Sequence, residues 1–165
     1  MSYILKIAYS RLWAVSRLKS SNVSKDDIFY FYTMKIRSVL EYASPVFFSM
    51  LTNQNIADIE RIQKIVLKVI LGHEYVDYDT ACKIMSTTTL HARRKQLALR
   101  FALSCLGSQQ HRHLFKQRRS TYYELRNIKS FELPQCFTHR YASSPIPAMI
   151  NLLNEYCERK GPASF

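Results

Sequence analysis

Apolar residues recur every three or four positions along most of this chain, and the pattern is clearest between Asn53 and Leu71. Such spacing places apolar side chains on one face of an α-helix. The apolar positions are Ile56, Ile59, Ile62, Ile65, Val66, Val69 and Ile70. Thr52 can accept hydrogen bonds from the free amides of the first turn, and Gly72 can take the left-handed conformation that ends a helix. The segment therefore predicts an amphipathic helix with one buried face.

The same periodicity predicts further helices on both sides of this segment. They cover about Tyr3–Lys19, Ser24 to about Tyr42, about Asp79–Met85, about Leu90–Leu106 and Pro147–Arg159. Ser24 with Asp27 three residues later resembles a capping box. Pro45 lacks a backbone donor and disfavours helical geometry in Ser44, so we expect a helix to stop at this step.

These elements predict an all-α fold, a bundle of five or six helices with an irregular basic segment before the last helix. Three glycines and five prolines in 165 residues favour helices over a turn-rich β fold. Apolar periodicity is lost from Ser108 to Ser144, where we expect irregular chain with a short extended piece near Tyr122–Leu133. The predicted organisation is a helical bundle at 1–107, the irregular basic segment at 108–145, and a C-terminal helix and tail at 146–165.

A net charge of +12 adds a prediction about partners, because a large basic excess favours nucleic acid or an anionic surface. No acidic residue occurs between Thr80 and Tyr123. We refer to this part of the chain as the acid-free stretch. The candidate phosphate contacts are Arg93, Arg94, Lys95, Arg100, Arg112, Lys116, Arg118 and Arg119. The alternative interpretation of these residues is a solvated basic face, with arginines whose stems cover apolar surface.

Other chemistry is weakly indicated. Four cysteines show no metal-ligand spacing, and His111 and His113 lack partner cysteines, so we expect no metal and no cofactor. Met1–Lys19 carries no secretory signal pattern, and its Lys and Arg residues argue against a membrane span. We expect an intracellular protein, nuclear or cytoplasmic and not secreted, with free thiols. Tyr122 and Tyr123 are the best candidates for stacking on unpaired bases.

Several short segments, taken in order, resemble a known family. They are LWAVSRLK (Leu12–Lys19) and the following Ser24–Tyr32, IRSVLEYASP (Ile36–Pro45), LT (Leu51–Thr52), IERIQKIVLKVILG (Ile59–Gly72), the Y-x-x-Y step Tyr75–Tyr78, LHARRKQLALR (Leu90–Arg100), HRHLF (His111–Phe115) and SPIPAMINLL (Ser144–Leu153). Each is a few common residues, but their order over nearly the whole chain resembles the region after the polymerase core in reverse transcriptases of non-LTR (LINE-like) retrotransposons.

The resemblance implies a post-palm, thumb-like region that contacts primer-template or RNA through a basic helix face. It implies low-specificity contacts with the phosphate backbone of RNA or DNA, the polymerase core as a further partner, and no membrane. The polymerase of this family needs paired aspartates at a tight turn to hold two metal ions. The one Asp-Asp here, Asp26–Asp27, looks like a helix cap with first-turn charge. We therefore expect no enzyme activity from this chain, although the family that it resembles acts as an RNA-directed DNA polymerase.

Two alternatives stay open at this point. One is a helical protein-interaction module that does not bind nucleic acid. The other is a transposon remnant without a function.

Overall fold

The computed structural model describes residues 2–118 and 129–160, and these residues form an all-α protein, as predicted. Within them the extended pairing is one isolated antiparallel bridge, between Gln117 and Phe131. The chain divides into two compact units. Unit 1 combines the residues up to Ser44 with Leu51–Arg94, and unit 2 combines Pro45–Met50 with the chain from Lys95 onward.

Unit 1 contains two of the long helices and several shorter helical elements. In chain order its elements include α1 (Ser2–Ser20), α2 (Lys25–Tyr32), a π-helical turn (Thr33–Arg37), α3 (Ser38–Glu41), α5 (Asn53–Leu71), a 3₁₀ turn (Gly72–Glu74) and α6 (Tyr78–Ile84). The π-helical turn runs directly from α2 into α3, so these three elements form one continuous helix. π-Helical turns are rare insertions in α-helices and often mark functional positions.

The predicted caps of unit 1 are confirmed. Ser24 Oγ accepts from the backbone N–H of Asp27 at 3.1 Å, and Thr52 Oγ1 accepts from that of Asn55 at 3.2 Å. Gly72 ends α5 at a φ of 58°, where a side chain would be strained. Asp77 caps α6 through its side chain. These local signals fix where the helices begin and end.

The helix that precedes Pro45 ends one residue earlier than expected, at Glu41 instead of about Tyr42. Helix α3 ends at Glu41, Ala43 takes a φ of 53°, and Ser44 already belongs to the short helix α4 (Ser44–Phe47). Pro45 is compatible with this geometry because a proline in the first helical turn has no hydrogen bond to lose. The left-handed residue, rather than the residue before proline, separates the two helices.

The core of unit 1 forms where the apolar face of α5 meets α1 and α2. Ile59, Ile62 and Val66 are buried in one cluster with Ile36 and Leu40, as the periodicity predicted. Val69 packs against this cluster and is partly buried. A second cluster joins the end of α5 to α6. Its buried members are Leu67, Leu71, Ala81 and Cys82.

Unit 2 is built around two helices, the part of α7 (Leu90–Gly107) from Lys95 onward and α9 (Pro145–Lys160). A 3₁₀ turn at Arg112–Leu114 and the short α8 (His139–Ala142) complete it. The core cluster of this unit has the buried members Ala102, Cys105, Leu106, Phe115, Phe131, Met149, Ile150, Leu153 and Cys157.

The division into units differs from the boundary predicted at residue 107. It falls within α7, after Arg94, because Ala102, Cys105 and Leu106 pack in the same cluster as Met149 and Leu153 of α9. The final helix also begins at Pro145 instead of Pro147. Arg119, Tyr122, Tyr123 and most of the predicted extended piece lie outside the described residues.

Candidate functional site

The charged residues of the motif segments pair with one another inside unit 1. The Glu41 carboxylate accepts a short hydrogen bond from Arg93 Nε, and Arg37 Nε lies 3.7 Å from the same Oε1 atom. Glu41 belongs to the LEYASP segment and Arg93 to the LHARRKQL segment, which are 52 residues apart. This pairing joins α3 to the first turn of α7, so the two segments meet in the fold.

A second acidic residue, Glu60, caps the start of α7 from the side of α5. Its carboxylate accepts from the backbone N–H of Leu90 at 3.3 Å and makes a short hydrogen bond with that of His91. The first N–H groups of a helix have no partner within the helix, and the positive end of its dipole favours an anion. Thr89 Oγ1 completes the cap by accepting from Ala92 N at 3.2 Å.

The Glu60 carboxylate also receives a short hydrogen bond from the hydroxyl of Tyr78, which opens α6. Burial and this bond to an anion both raise the pKa of Tyr78 far above its ordinary value. The phenol therefore stays protonated and remains a donor at every physiological pH. Glu60 thus ties three helices of unit 1 together through one side chain.

Arg94 is the cation of this cluster and is almost completely buried, with 3% of its side chain exposed. Its Nη2 lies 3.9 Å from Glu60 Oε1, and neither Nη atom makes a hydrogen bond with a described residue. Burial lowers the pKa of Arg94, and the charge of Glu60 opposes that shift. Because a buried guanidinium is costly without an anion, Glu60 is needed to keep Arg94 inside the unit.

Gln63 forms a neutral extension of the same network. Its Oε1 accepts from the hydroxyl of buried Tyr32 at 2.8 Å, and its Nε2 donates to the backbone carbonyl of Thr88 at 2.9 Å. A longer contact of 3.7 Å joins Nε2 to Cys82 Sγ. Gln63 therefore holds the connection between α6 and α7 against α5.

This network has the chemistry of a scaffold. The Glu60 carboxylate is occupied by donors from Tyr78, Leu90 and His91, which leaves it poorly placed to take a proton from a substrate. Among the residues that the structure describes, no group of three or more His, Cys, Asp or Glu side chains could hold a metal ion. We call the side chains of Glu41, Glu60, Gln63, Tyr78, Arg93 and Arg94 the motif network.

The predicted phosphate contacts separate into two groups. Arg93 and Arg94 belong to the motif network, and the burial of Arg94 leaves it no surface for a phosphate. Arg93, Arg94 and Arg100 therefore do not form the shared basic helix face that the sequence suggested. The reason is that Arg94 lies one turn after Leu90 and one turn before Ala98, on the buried row of α7.

The remaining candidates lie in unit 2. Lys95 Nζ is 3.0 Å from Glu155 Oε2, and Lys116 Nζ is 3.1 Å from Glu132 Oε2, both as exposed pairs. Arg100, Arg112 and Arg118 are exposed and form no ion pair with a described residue. Arg119 lies outside the described residues. The surface cations of the acid-free stretch are thus concentrated in unit 2.

Sequence reasoning missed the roles of Glu60 and Gln63. Lys64, four residues after Glu60, is at the spacing of a helical ion pair, but its Nζ lies 5.1 Å from the centre of the Tyr78 ring while Glu60 faces Arg94. A usable signal was present, since Glu60 and Gln63 share a helical row with buried Leu67 and Leu71. Polar residues on a buried row require partners from other elements.

Comparison of this chain with protein-family models, with curated proteins and with solved structures finds no match in any of the three. None of the helices in the described part of the chain combines the length and the apolar character needed to cross a bilayer.

Proposed function

We propose that this chain is a non-catalytic, thumb-like region of the kind that follows the polymerase core in non-LTR retrotransposon reverse transcriptases. In this proposal it contacts the primer-template or RNA through phosphates and docks against the polymerase core. Its finer architecture is a bundle of five or six helices with an irregular basic segment. It carries no polymerase active site of its own.

The motif network supports the family part of the proposal. Four of the segments that carry the resemblance supply its members: LEYASP, IERIQK, Y-x-x-Y and LHARRKQL. Their charged and polar side chains face one another within hydrogen-bond or ion-pair distance. Residues that depend on one another in a fold form a more meaningful pattern than short matches scattered over a surface.

The observation that carries the binding part is the group of exposed arginines in unit 2. Arg100, Arg112 and Arg118 have no ion pair with a described residue, and no acidic residue follows Thr80 until Glu124. Lys95 and Lys116 form exposed pairs, which are worth little in water and can exchange a carboxylate for a phosphate. Contacts of this kind position a strand without reading its bases.

The experiment is a salt titration of a fluorescently labelled nucleic-acid hairpin by anisotropy. Replacing Arg100, Arg112 and Arg118 together by Gln should lower the affinity and flatten the slope of log affinity against log salt. The loss of three duplex phosphate contacts corresponds to a change in slope of about 2.7. Circular dichroism should show an unchanged helical fold, because these side chains are exposed.

A charge-matched control replaces the exposed Arg61, Lys64 and Lys68 of α5 by Gln. This variant loses the same formal charge from unit 1 and should keep a steeper salt slope than the unit 2 variant. Parental binding by the unit 2 variant at every salt concentration would contradict the proposed surface and favour a protein-interaction module. Templated incorporation by the purified chain with Mg²⁺ and dNTPs, above a mock preparation, would contradict its non-catalytic nature.

A further inference from the structure

The solvent face of α1 carries aromatic side chains that the fold does not use. Tyr3, Tyr9 and Trp13 are 74%, 39% and 68% exposed, respectively. The opposite face of the same helix supplies Ala8 and Val15 to the buried cluster of unit 1. Because α1 already packs through that second face, core packing does not account for the three exposed rings. Single exposed hydrophobic residues are normal on protein surfaces, but several on one helix face form a contiguous patch, and such patches mark interaction sites.

Basic residues alternate with these rings. Lys6 and Arg17 are exposed and fall on the same face, since Tyr3, Lys6, Tyr9, Trp13 and Arg17 follow one another in steps of three, three, four and four. Neither cation forms an ion pair with a described residue, and α1 contains no acidic residue. The other exposed residues of α1 are the small Ser10, Ser16 and Ser20, together with Lys19, whose Nζ donates to the backbone carbonyl of Ile70 at 2.9 Å.

We propose that this face of α1 binds single-stranded nucleic acid, with unpaired bases stacked on Trp13 and Tyr9 and phosphates held by Lys6 and Arg17. Aromatic rings beside basic residues are the common device for binding single strands without sequence preference. At a rise of 1.5 Å per residue, Tyr3 and Trp13 are about 15 Å apart along the helix. That distance is enough for a short segment of a single strand to contact more than one ring.

The chemistry favours a single strand over other partners. The bases of a duplex hide their faces in the stack, so exposed rings gain little from it. Protein interfaces share the enrichment in Trp, Tyr and Arg but are depleted in Lys, whereas a phosphate backbone favours Lys6 as well as Arg17. The surface is independent of the proposed unit 2 surface, because all of its residues belong to unit 1 and precede the acid-free stretch.

Trp13 supplies a direct probe because it is the only tryptophan in the chain. Titration of the full chain with short oligothymidylate or oligouridylate should quench its emission as bases stack on the indole. Stronger quenching by the uridylate strand would assign RNA as the preferred ligand, and equal quenching would indicate stacking and phosphate contacts alone. Unchanged emission at saturating strand, or equal quenching by a duplex of the same length, would overturn the proposal.

Variants make the test independent of fluorescence. Trp13→Ala should lower the affinity for an end-labelled single strand by about tenfold or more, measured by anisotropy. Lys6→Gln with Arg17→Gln should flatten the salt slope by about 1.4, the value for two phosphates of a single strand. The matched control is Tyr42→Ser, which removes a ring of unit 1 that is 76% exposed but lies outside α1, and should bind like the parent.

The same assay separates this inference from the proposed function. Loss of single-strand binding in Trp13→Ala, with parental hairpin binding in the Arg100, Arg112 and Arg118 variant, would support the α1 surface while the unit 2 surface fails. The reverse pattern would reject the α1 surface and leave the proposed function intact. Parental single-strand affinity in Trp13→Ala, or an equal loss in Tyr42→Ser, would likewise reject the α1 surface.

Discussion

The two units use charged residues in opposite ways. In unit 1 the pairs made by Glu41 and Glu60 are largely enclosed, although Lys25–Glu74 is exposed. Arg94 and Glu60 lie at the centre of a network that joins α5, α6 and α7. In unit 2 the pairs Lys95–Glu155 and Lys116–Glu132 are exposed, and the neutral Asn154 is the buried polar side chain among its described residues. Enclosed charges therefore link helices in the first unit, whereas the described ion pairs of the second unit face the solvent.

Helix α7 shows how closely these two uses can adjoin. Arg93, Arg94 and Lys95 are consecutive, yet the first two belong to the motif network and the third pairs at the surface with Glu155. A run of basic residues thus does not define one binding face. A buried pair is sensitive to the loss of one partner because the other charge is left without compensation, whereas an exposed pair is not.

The largest effect is expected from Glu60→Gln. Removing this charge leaves Arg94 buried without its anion and weakens the cap of α7, so the free energy of unfolding should fall by about 3–5 kcal/mol. Urea denaturation followed by circular dichroism measures this loss. The double variant Glu60→Gln with Arg94→Met should recover part of it, because it removes both charges and keeps an apolar side chain of similar length.

The matched control for Glu60→Gln is Glu155→Gln, which breaks the exposed pair with Lys95 in unit 2. Its cost should stay below about 1 kcal/mol. Equal losses in the two single variants would contradict the contrast between the units, since the environment of the charge would then have no effect.

How far the sequence predicted this arrangement depends on the range of the interactions. The caps at Ser24, Thr52 and Gly72 act within one helical turn, so short patterns were enough to place them. The buried face of α5 could also be predicted, because the spacing of its apolar residues alone indicates which face packs against the core. The all-α class followed from these local features.

The motif network could not be predicted in the same way. Glu60 reaches the start of α7 across 30 residues, and nothing within one turn of it indicates that contact. Arg94 was assigned to a surface because arginine is usually exposed, although its row on α7 is otherwise apolar. The left-handed residue at Ala43 was also missed, since no glycine or asparagine marks it.

A somewhat smaller or similar loss is expected from Ile62→Ala, which tests the neutral core of unit 1. Ile62 is fully buried on α5, and a large-to-Ala change in a core costs about 2–5 kcal/mol. The matched control is Ile84→Ala on α6, where the side chain is half exposed and the cost should be well below that of Ile62. If Ile62→Ala changed the unfolding midpoint no more than the control, the packing of α5 against α1 and α2 would need revision.

Of the three buried positions tested, the smallest loss of stability is expected in unit 2, from Asn154→Ala. The Asn154 side chain accepts from the backbone N–H of Phe131 at 2.9 Å and donates to the backbone carbonyl of Phe131 at 3.2 Å. Removing two neutral hydrogen bonds should cost about 1–3 kcal/mol, less than removing a buried charge in unit 1. Asn151→Ala lies on the exposed face of the same helix and should change stability by no more than about 0.5 kcal/mol.

The measurement for these two variants is again urea denaturation, with the parent chain as reference. Asn154→Asp provides a further test of the two hydrogen bonds. Its carboxylate can still accept from Phe131 N–H, but it can no longer donate when ionised. Burial should raise the pKa of this carboxyl above its unfolded value, so the variant should be most stable at acidic pH and lose stability as the pH rises. A pH-independent variant as stable as the parent would mean that the amide is not enclosed, and unit 2 would then lack the neutral anchor that distinguishes it from unit 1.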